Sequence, residues 1–303
     1  MHSLAIVSAF FAMASAHGVV LSVEGANGVT MPGLSIADGT PRDCSSNRCG
    51  SQADTSIIRD REIRSGEASA LGRTQGNGPV DASVMISSFL GTGNANNVPT
   101  NNGTESAAGV EDDLSNLPNG NNQGNNNKQR RQLGNLLGGL FGGGRGGGGE
   151  KTETAQETSV AASAGGGATK GLPTASDNGE VTMTYRQINQ DGAGPMTAEI
   201  DATSGGTDPD AFQTAEVTQD VPGIGIQGLS LATNTDFPLK VQMPQGMTCE
   251  GSVGGANNVC IVRVRNGAAA GPFGGSGAFT QSAASRKRAI AFRLKKRMEI
   301  VRY

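Results

Sequence analysis

Histidine is the residue type on which most side-chain chemistry in this chain would depend, and it is scarce. Only two histidines occur among 303 residues, His2 and His17. His17 directly follows Ala14 to Ala16, whose small residues form an A-x-A export cleavage site behind the short apolar run 4–14. Cleavage there makes His17 the first residue and the only histidine of the mature chain. Metal ligation or general-base chemistry by an imidazole therefore depends on this residue.

The cysteines form two close pairs, Cys44 with Cys49 and Cys249 with Cys260. An even count in an exported chain predicts two disulfides, and of the three formal connectivities the one that pairs neighbours is favoured. Four thiolates on one zinc ion are a weaker interpretation, because the spacings are not CxxC. With oxidised cysteines and one terminal histidine, neither a Ser-His-Asp nor a Cys-His set has a base. A glycosidase-like carboxylate pair stays open, although no motif singles out two acidic residues.

Residues 1–16 are predicted to be a signal peptide. Their apolar run is too short for a transmembrane span, which needs ~20 apolar residues, and no other stretch qualifies. The mature protein is therefore expected to be secreted and extracellular, with the cell surface as one destination.

The formal net charge of −3 is unevenly distributed. Residues 286–303 hold eight Lys or Arg and one Glu, so this tail carries +7 and the rest of the chain about −10. A nucleic-acid-binding domain would carry its basic face on the folded body. The charge pattern therefore argues against nucleic acid as a partner.

Composition changes in the middle of the chain, where residues 100–175 are predicted to be a low-complexity disordered insert. Its Gly, Asn, Ser and Ala cannot bury enough apolar surface to offset chain ordering. The glycine-rich block lacks the GK[ST] ending of a phosphate-binding loop. Asn102 begins the only N-glycosylation sequon and is predicted to be glycosylated.

The flanking segments 17–99 and 176–282 have the pattern of short strands separated by turns. Alternation in "EVTMTYRQ" places Val181, Met183 and Tyr185 on one face, and "CIVRVR" alternates in the same way. "GPVDASVMISSFLG" has the character of a short helix. The sequence predicts a mostly β fold, one antiparallel β-sandwich of the immunoglobulin-like or lytic-monooxygenase-like kind, formed by both flanks.

Residues 283–303 break the strand pattern. Ile290, Leu294 and Met298 recur every four residues among basic side chains, which predicts an amphipathic C-terminal helix. Three roles are open to it: docking on the acidic body, lying on an anionic surface, or removal by proteolysis at its basic runs.

Long collinear segments, among them "GTPRDCSSNRCGSQADTSIIRDREI", "RTQGNGPVDAS" and "MTYRQINQDGAGPMTAEIDATSGGTDPDAF", closely resemble the fungal Egh/GAS/MAS-type secreted proteins. The resemblance covers nearly the whole chain except residues ~100–175. It implies a virulence factor associated with the appressorium and host penetration.

A fainter resemblance concerns His17. A terminal His-Gly ahead of a β-sandwich is similar to copper-dependent lytic polysaccharide monooxygenases, in which the α-amine and the ring nitrogen both bind Cu(II). That resemblance implies a second histidine as a further copper ligand. In this chain Arg186 aligns with the position of that second histidine. Arginine has no lone pair to donate. Oxygen ligands would have to come from Tyr185, Asp38, Asp43 or Asp191.

The sequence therefore predicts a non-enzymatic protein without cofactor, acting at the cell surface or at the contact with host or wall. Cell-wall or host polysaccharide is the expected partner, and the oligomeric state is open. The alternative is a copper-binding or copper-dependent polysaccharide-oxidising protein that uses His17 as its metal ligand.

Overall fold

The computed structural model describes residues 17–45, 49–93, 99–101, 149–151, 154–190, 192–223, 230–268 and 270–300. The predicted signal peptide, the sequon at Asn102 and the glycine-rich block lie outside the described residues.

Strands dominate the described chain. They are β1 Gly18–Glu24, β2 Thr30–Pro32, β3 Ser56–Ile57, β4 Arg73–Thr74, β5 Gly78–Pro79, β6 Glu150–Lys151, β7 Thr174–Ala175, β8 Glu180–Gln187, β9 Thr197–Asp201, β10 Phe212–Gln219, β11 Thr235–Gln242, β12 Gly251–Val253, β13 Ala256–Arg265 and β14 Phe273–Gln281. The helices are α1 Asp60–Ser65, α2 Ala82–Leu90, α3 Ser159–Ser163 and α4 Ala283–Ile300, with a 3₁₀ turn at Pro209–Ala211.

The strands follow one hydrogen-bonded path, β2-β1-β8-β11-β10-β9-β13-β14-β3-β4-β5. β10 joins the two layers, because Phe212 to Ala215 pair with β9 and Glu216 to Gln219 pair with β11. All of these pairings are antiparallel, and β7 adds a short parallel pairing to β14. The predicted antiparallel sandwich is therefore confirmed.

The two layers pack together where β1 lies against β14. A Cβ added at Gly275 would lie 2.8 Å from the backbone nitrogen of Val20, and one at Gly277 would overlap Val23. The glycines of β14 thus permit an approach that larger residues would block.

The main core fills the space between the layers. Its side chains include Val20, Val23, Val181, Met183, Tyr185, Ile200, Leu239, Val262 and Phe279. A second core lies on the outer side, where Met85, Ile86 and Phe89 of α2 and Val160 of α3 cover Ile261. Consequently β13 is buried on both faces, and the half-buried strand predicted from its alternation is wrong.

Both predicted disulfides are present, Cys44–Cys49 and Cys249–Cys260. Cys249 and Cys260 lie within the main core, where they connect the segment before β12 to β13.

The insert ends earlier than its composition indicates. Residues 154–175 contain α3 and β7, and within them Val160 and Leu172 are 1% and 3% exposed. The Asp38 carboxylate accepts the N–H groups of Val160 and Ala161, which fixes the start of α3. The predicted boundary at residue 175 is therefore wrong for this stretch, because a few apolar anchors suffice to dock a glycine- and alanine-rich segment.

The predicted C-terminal helix is present as α4, but its apolar stripe does not dock on the body. Its buried residues are Ser285 and Ala289. Ile290, Leu294 and Met298 are 40%, 53% and 60% exposed. Among the described residues, none of the helices combines the length and apolar character that a membrane crossing requires.

Candidate functional site

His17 is held at the start of β1 by the turn that follows β8. Its carbonyl oxygen accepts the N–H of Ile188 at 3.0 Å, and its own backbone nitrogen donates to the Asn189 side-chain oxygen at 3.0 Å. A side chain at Gly192 would overlap the His17 carbonyl. The turn therefore fixes the backbone of His17, the residue that the cleavage site predicts as the mature N-terminus.

The His17 ring is enclosed. The residue is 1% exposed, and its ring centroid lies 4.1 Å from that of Phe273. Within the described part of the chain, neither ring nitrogen has a hydrogen-bond partner. Burial, and then the nearby Arg59 cation, lower the pKa of His17 from 6.5 to about 3. The imidazole consequently stays neutral over the physiological pH range.

Arg59 is a charged neighbour of His17 that the sequence patterns do not reveal. Its guanidinium donates to the carbonyl oxygens of Ala270 and Gly271, next to the strand that carries Phe273, and pairs with Glu62 at 2.7 Å. These contacts bring a charged group from the first flank to the His17 ring. No local motif marks this arrangement, because it depends on contacts between segments far apart in the chain.

Arg186 lies opposite Val19 in the β1–β8 pairing and is 2% exposed. Its guanidinium donates to the Arg42 carbonyl at 2.7 Å and lies 3.2 Å from an Asp236 carboxylate oxygen. Burial lowers the pKa of Arg186, against the opposing effect of Asp236. The Arg186 cation therefore pairs with Asp236. The cation that lowers the pKa of His17 is Arg59 instead.

A neutral imidazole has a lone pair on one ring nitrogen and is the form that binds metal ions, so the surroundings of His17 decide whether it can ligate copper. The neighbouring cation Arg59 repels a metal ion. The described residues contain no group of three His, Cys, Asp or Glu side chains placed to hold a metal. These residues do not fit a redox copper site.

The oxygen ligands considered from the sequence do not complete such a site. Tyr185 is buried, donates its hydroxyl to the Gly192 carbonyl at 3.1 Å and has a pKa raised by burial. The Asp38 carboxylate is occupied by the start of α3. Asp43 is exposed, and Asp191 lies outside the described residues.

A buried ion cluster centres on Arg42, which is 2% exposed. Its guanidinium makes two hydrogen bonds to the fully buried Asp54 and one, at 3.0 Å, to Glu157. Burial alone would lower the pKa of Arg42, but Asp54 and Glu157 together raise it. The cluster joins the first flank to the segment before α3, so its role is to hold the fold together.

Two carboxyl groups of the described residues, Glu24 and Asp220, have a raised pKa. Burial raises the pKa of Glu24, which accepts hydrogen bonds from the hydroxyls of Ser22 and Thr184. Burial also raises the pKa of Asp220, which accepts the N–H groups of Met196 and Val221. The two groups have different partners, so nothing assigns them the acid and base roles of a glycosidase.

A groove of about 280 Å³ lies between the first half of α4 and the sheet. Its lining includes Asp177, Gln242, Gln281, Ser285, Arg288 and Phe292. Among its amide side chains, Gln242 and Gln281 already bond to neighbouring backbone groups, and Asn178 and Gln245 complete the set. Such a polar lining suits hydroxyl-rich ligands. Its one carboxylate, Asp177, accepts the Ser282 hydroxyl at 2.7 Å.

Burial of His17 predicts a pH-dependent stability. Unfolded imidazole titrates near 6.5 and the folded ring near 3, so only the unfolded state binds a proton between these values. This histidine therefore lowers the free energy of unfolding as the pH falls from 6.5 towards 3. Between about pH 6.5 and about pH 5 we expect a loss of about 1.5 kcal/mol, measured by urea denaturation of the mature protein.

The matched control is His17→Phe, which keeps an aromatic ring against Phe273 but binds no proton. Its stability should change much less across the same pH interval. An equal pH dependence in both proteins would contradict the burial of a neutral imidazole.

Comparison with known proteins places the chain among infection-related relatives. A family model described as Egh16-like virulence factor matches residues 15–274. The "Appressoria-specific virulence factor GAS2" of Pyricularia oryzae (strain 70-15) is 54% identical over 296 residues, covering 97% of this chain and 94% of the relative. The "Appressoria-specific virulence factor GAS1" of the same strain is 41% identical over 136 residues, or 43% of this chain and 52% of the relative. No solved structure matches the chain.

Proposed function

Because the chain belongs to the Egh16-like virulence factor family, we propose that it acts as an exported virulence factor at the contact between a fungal infection cell and its host. The observation that carries this proposal is the 54% identity, across 97% of the chain, to an appressoria-specific virulence factor. Two disulfides support an oxidising, extracellular location.

We propose further that the protein acts by binding and without turnover. The Arg42 cluster supports this, since Arg42, Asp54 and Glu157 are engaged with one another. The enclosed His17 ring also lies out of reach of a polymer substrate. The proposed partner is cell-wall or host polysaccharide, and the amide-lined groove beside α4 is the candidate contact.

Complementation of a deletion strain tests both parts of the proposal. Loss of the gene should reduce host penetration, and the wild-type gene should restore it. A version without residues 2–16 should fail to restore it, because the protein would not be exported. His17→Phe should restore penetration fully, since no catalytic role is assigned to this ring.

Two results would contradict these proposals separately. Full rescue by the version without residues 2–16 would contradict action outside the cell. Failure of a stably folded His17→Phe protein would contradict the non-catalytic role, as would release of oxidised oligosaccharides from chitin, cellulose or xylan by the wild-type protein with copper and a reductant.

A further inference from the structure

Helix α4 contacts the body with one side only. Ser285 and Ala289 are buried, and Phe292 lies against Gly246. Arg288 donates to the Asp177 carbonyl at 2.8 Å, and Arg293 donates to the Thr248 hydroxyl at 3.1 Å. This side fixes the helix to the body through its first half.

The apolar stripe of Ile290, Leu294 and Met298 lies on the opposite side. With 3.6 residues per turn, its centre is about 170° around the helix from the side of α4 that contacts the body. The exposed fractions of the three residues increase along the helix, from 40% to 53% to 60%. The stripe therefore points away from the body and does not pack against the core.

Cations border this stripe. Lys287, Lys295 and Arg297 are exposed, lie within about 100° of its centre and have no ion-pair or hydrogen-bond partner among the described residues. In contrast, Arg286, Arg288 and Arg293 each bond to the body. The cations beside the stripe are thus available to an external anion.

We propose that this side of α4 docks on an anionic lipid surface. An interfacial helix of this kind buries its apolar residues at the boundary between headgroups and acyl chains, while Lys and Arg contact lipid phosphates. Ile290, Leu294 and Met298 supply the apolar part, and the three bordering cations supply the charge. The inference does not depend on the proposed function.

A second copy of the chain is a poorer occupant. Outside α4, Leu231 is the only large hydrophobic side chain among the described residues that is mostly exposed, at 51%. The described part of the body therefore offers no apolar patch that matches the stripe. Pairing of two α4 helices would bring their unpartnered cations together, which is unfavourable. A bilayer supplies both an apolar layer and a negative surface.

The absence of tryptophan from the chain gives the test a clean probe. Leu294→Trp in the full mature protein should show a blue-shifted emission when mixed with vesicles of phosphatidylcholine containing about one third phosphatidylserine. Leu231→Trp, on the body, is the matched control and should show no shift. Neither probe should respond to vesicles of phosphatidylcholine alone.

Co-sedimentation with the same vesicles tests the two components of the surface. The triple variant Ile290→Ser, Leu294→Ser, Met298→Ser should bind at least about tenfold more weakly than the wild type. A second variant, with Lys287, Lys295 and Arg297 all changed to Gln, should show a similar loss. All six positions are exposed, so both variants should retain the wild-type melting temperature.

Three outcomes would overturn the proposal. The first is equal binding of the wild type to charged and uncharged vesicles, or no binding to either. The second is unchanged binding of the serine variant together with loss in the glutamine variant, which would indicate a soluble polyanion. The third is concentration-dependent dimerisation that the serine variant abolishes, which would assign the stripe to a second copy.

Discussion

Replacing Arg42 by leucine is expected to lower the free energy of unfolding by about 3–5 kcal/mol, because the change leaves a buried carboxylate without its cation. Asp54 is fully buried and receives two hydrogen bonds from the Arg42 guanidinium. Glu157, which is 11% exposed, loses the same partner. Urea denaturation at neutral pH measures the loss.

The matched control is Lys240→Leu, which removes the cation from the Lys240–Glu180 pair. These side chains are 35% and 23% exposed and 3.0 Å apart, so water replaces most of what is lost. The expected cost is below about 1 kcal/mol. Similar costs for the two variants would show that the Arg42 cluster is accessible to water.

Extending a deletion of the insert into residues 154–172 is expected to remove most of the stability of the sandwich. Val160 and Leu172 are buried, and full burial of such side chains contributes about 1.5–3 kcal/mol each. The same deletion removes Glu157 from the Arg42 cluster. Together, the lost burial of Val160 and Leu172 and the lost Glu157 ion pair are comparable with the free energy of unfolding of an average domain.

The comparison requires two deletions. Replacing residues 105–146 by a short Gly-Ser linker should leave the melting temperature nearly unchanged, whereas replacing residues 105–172 should abolish cooperative unfolding. Equal stability of the two proteins would mean that α3 and the segment around it contribute nothing to the core.

The strands that alternate and are buried on one face could be predicted from the sequence. In β8, Val181, Met183 and Tyr185 enter the main core and Thr182 and Thr184 do not. The prediction succeeds because alternation with a period of two indicates a strand with one face in the core and the other in solvent. The short spacing within each pair of cysteines was likewise enough to predict both disulfides.

β13 could not be predicted correctly, since its polar side chain is buried by distant elements. Arg263 is 5% exposed, packs over the Phe212 ring at 4.2 Å and pairs with Glu199 at 2.6 Å. Burial of arginine depends on these partners, which lie in other strands. The strand β14 could not be predicted either. Its glycines are typical of a turn, and only the packing of β1 against them explains why they occur in a strand.

The environment of His17 depended equally on long-range contacts. Its position after the cleavage site was visible in the sequence, but its contact with Phe273 and the charge of Arg59 are not local. The alignment of Arg186 with a second histidine gave the right strand but the wrong electrostatic neighbour. Sequence patterns therefore located the residue without describing its chemistry.

The pairing of β1 with β8 has a consequence for how the chain folds after synthesis. The hydrogen bond between His17 and Asn189 spans 172 positions, and β3 pairs with β14 near the other end of the chain. Contacts of such high sequence separation form slowly, although lengthening the intervening loop adds little to the equilibrium cost. Neither layer can be completed by the N-terminal half alone. The nascent chain is thus expected to stay unfolded, and dependent on chaperones, until almost all of it has been synthesised.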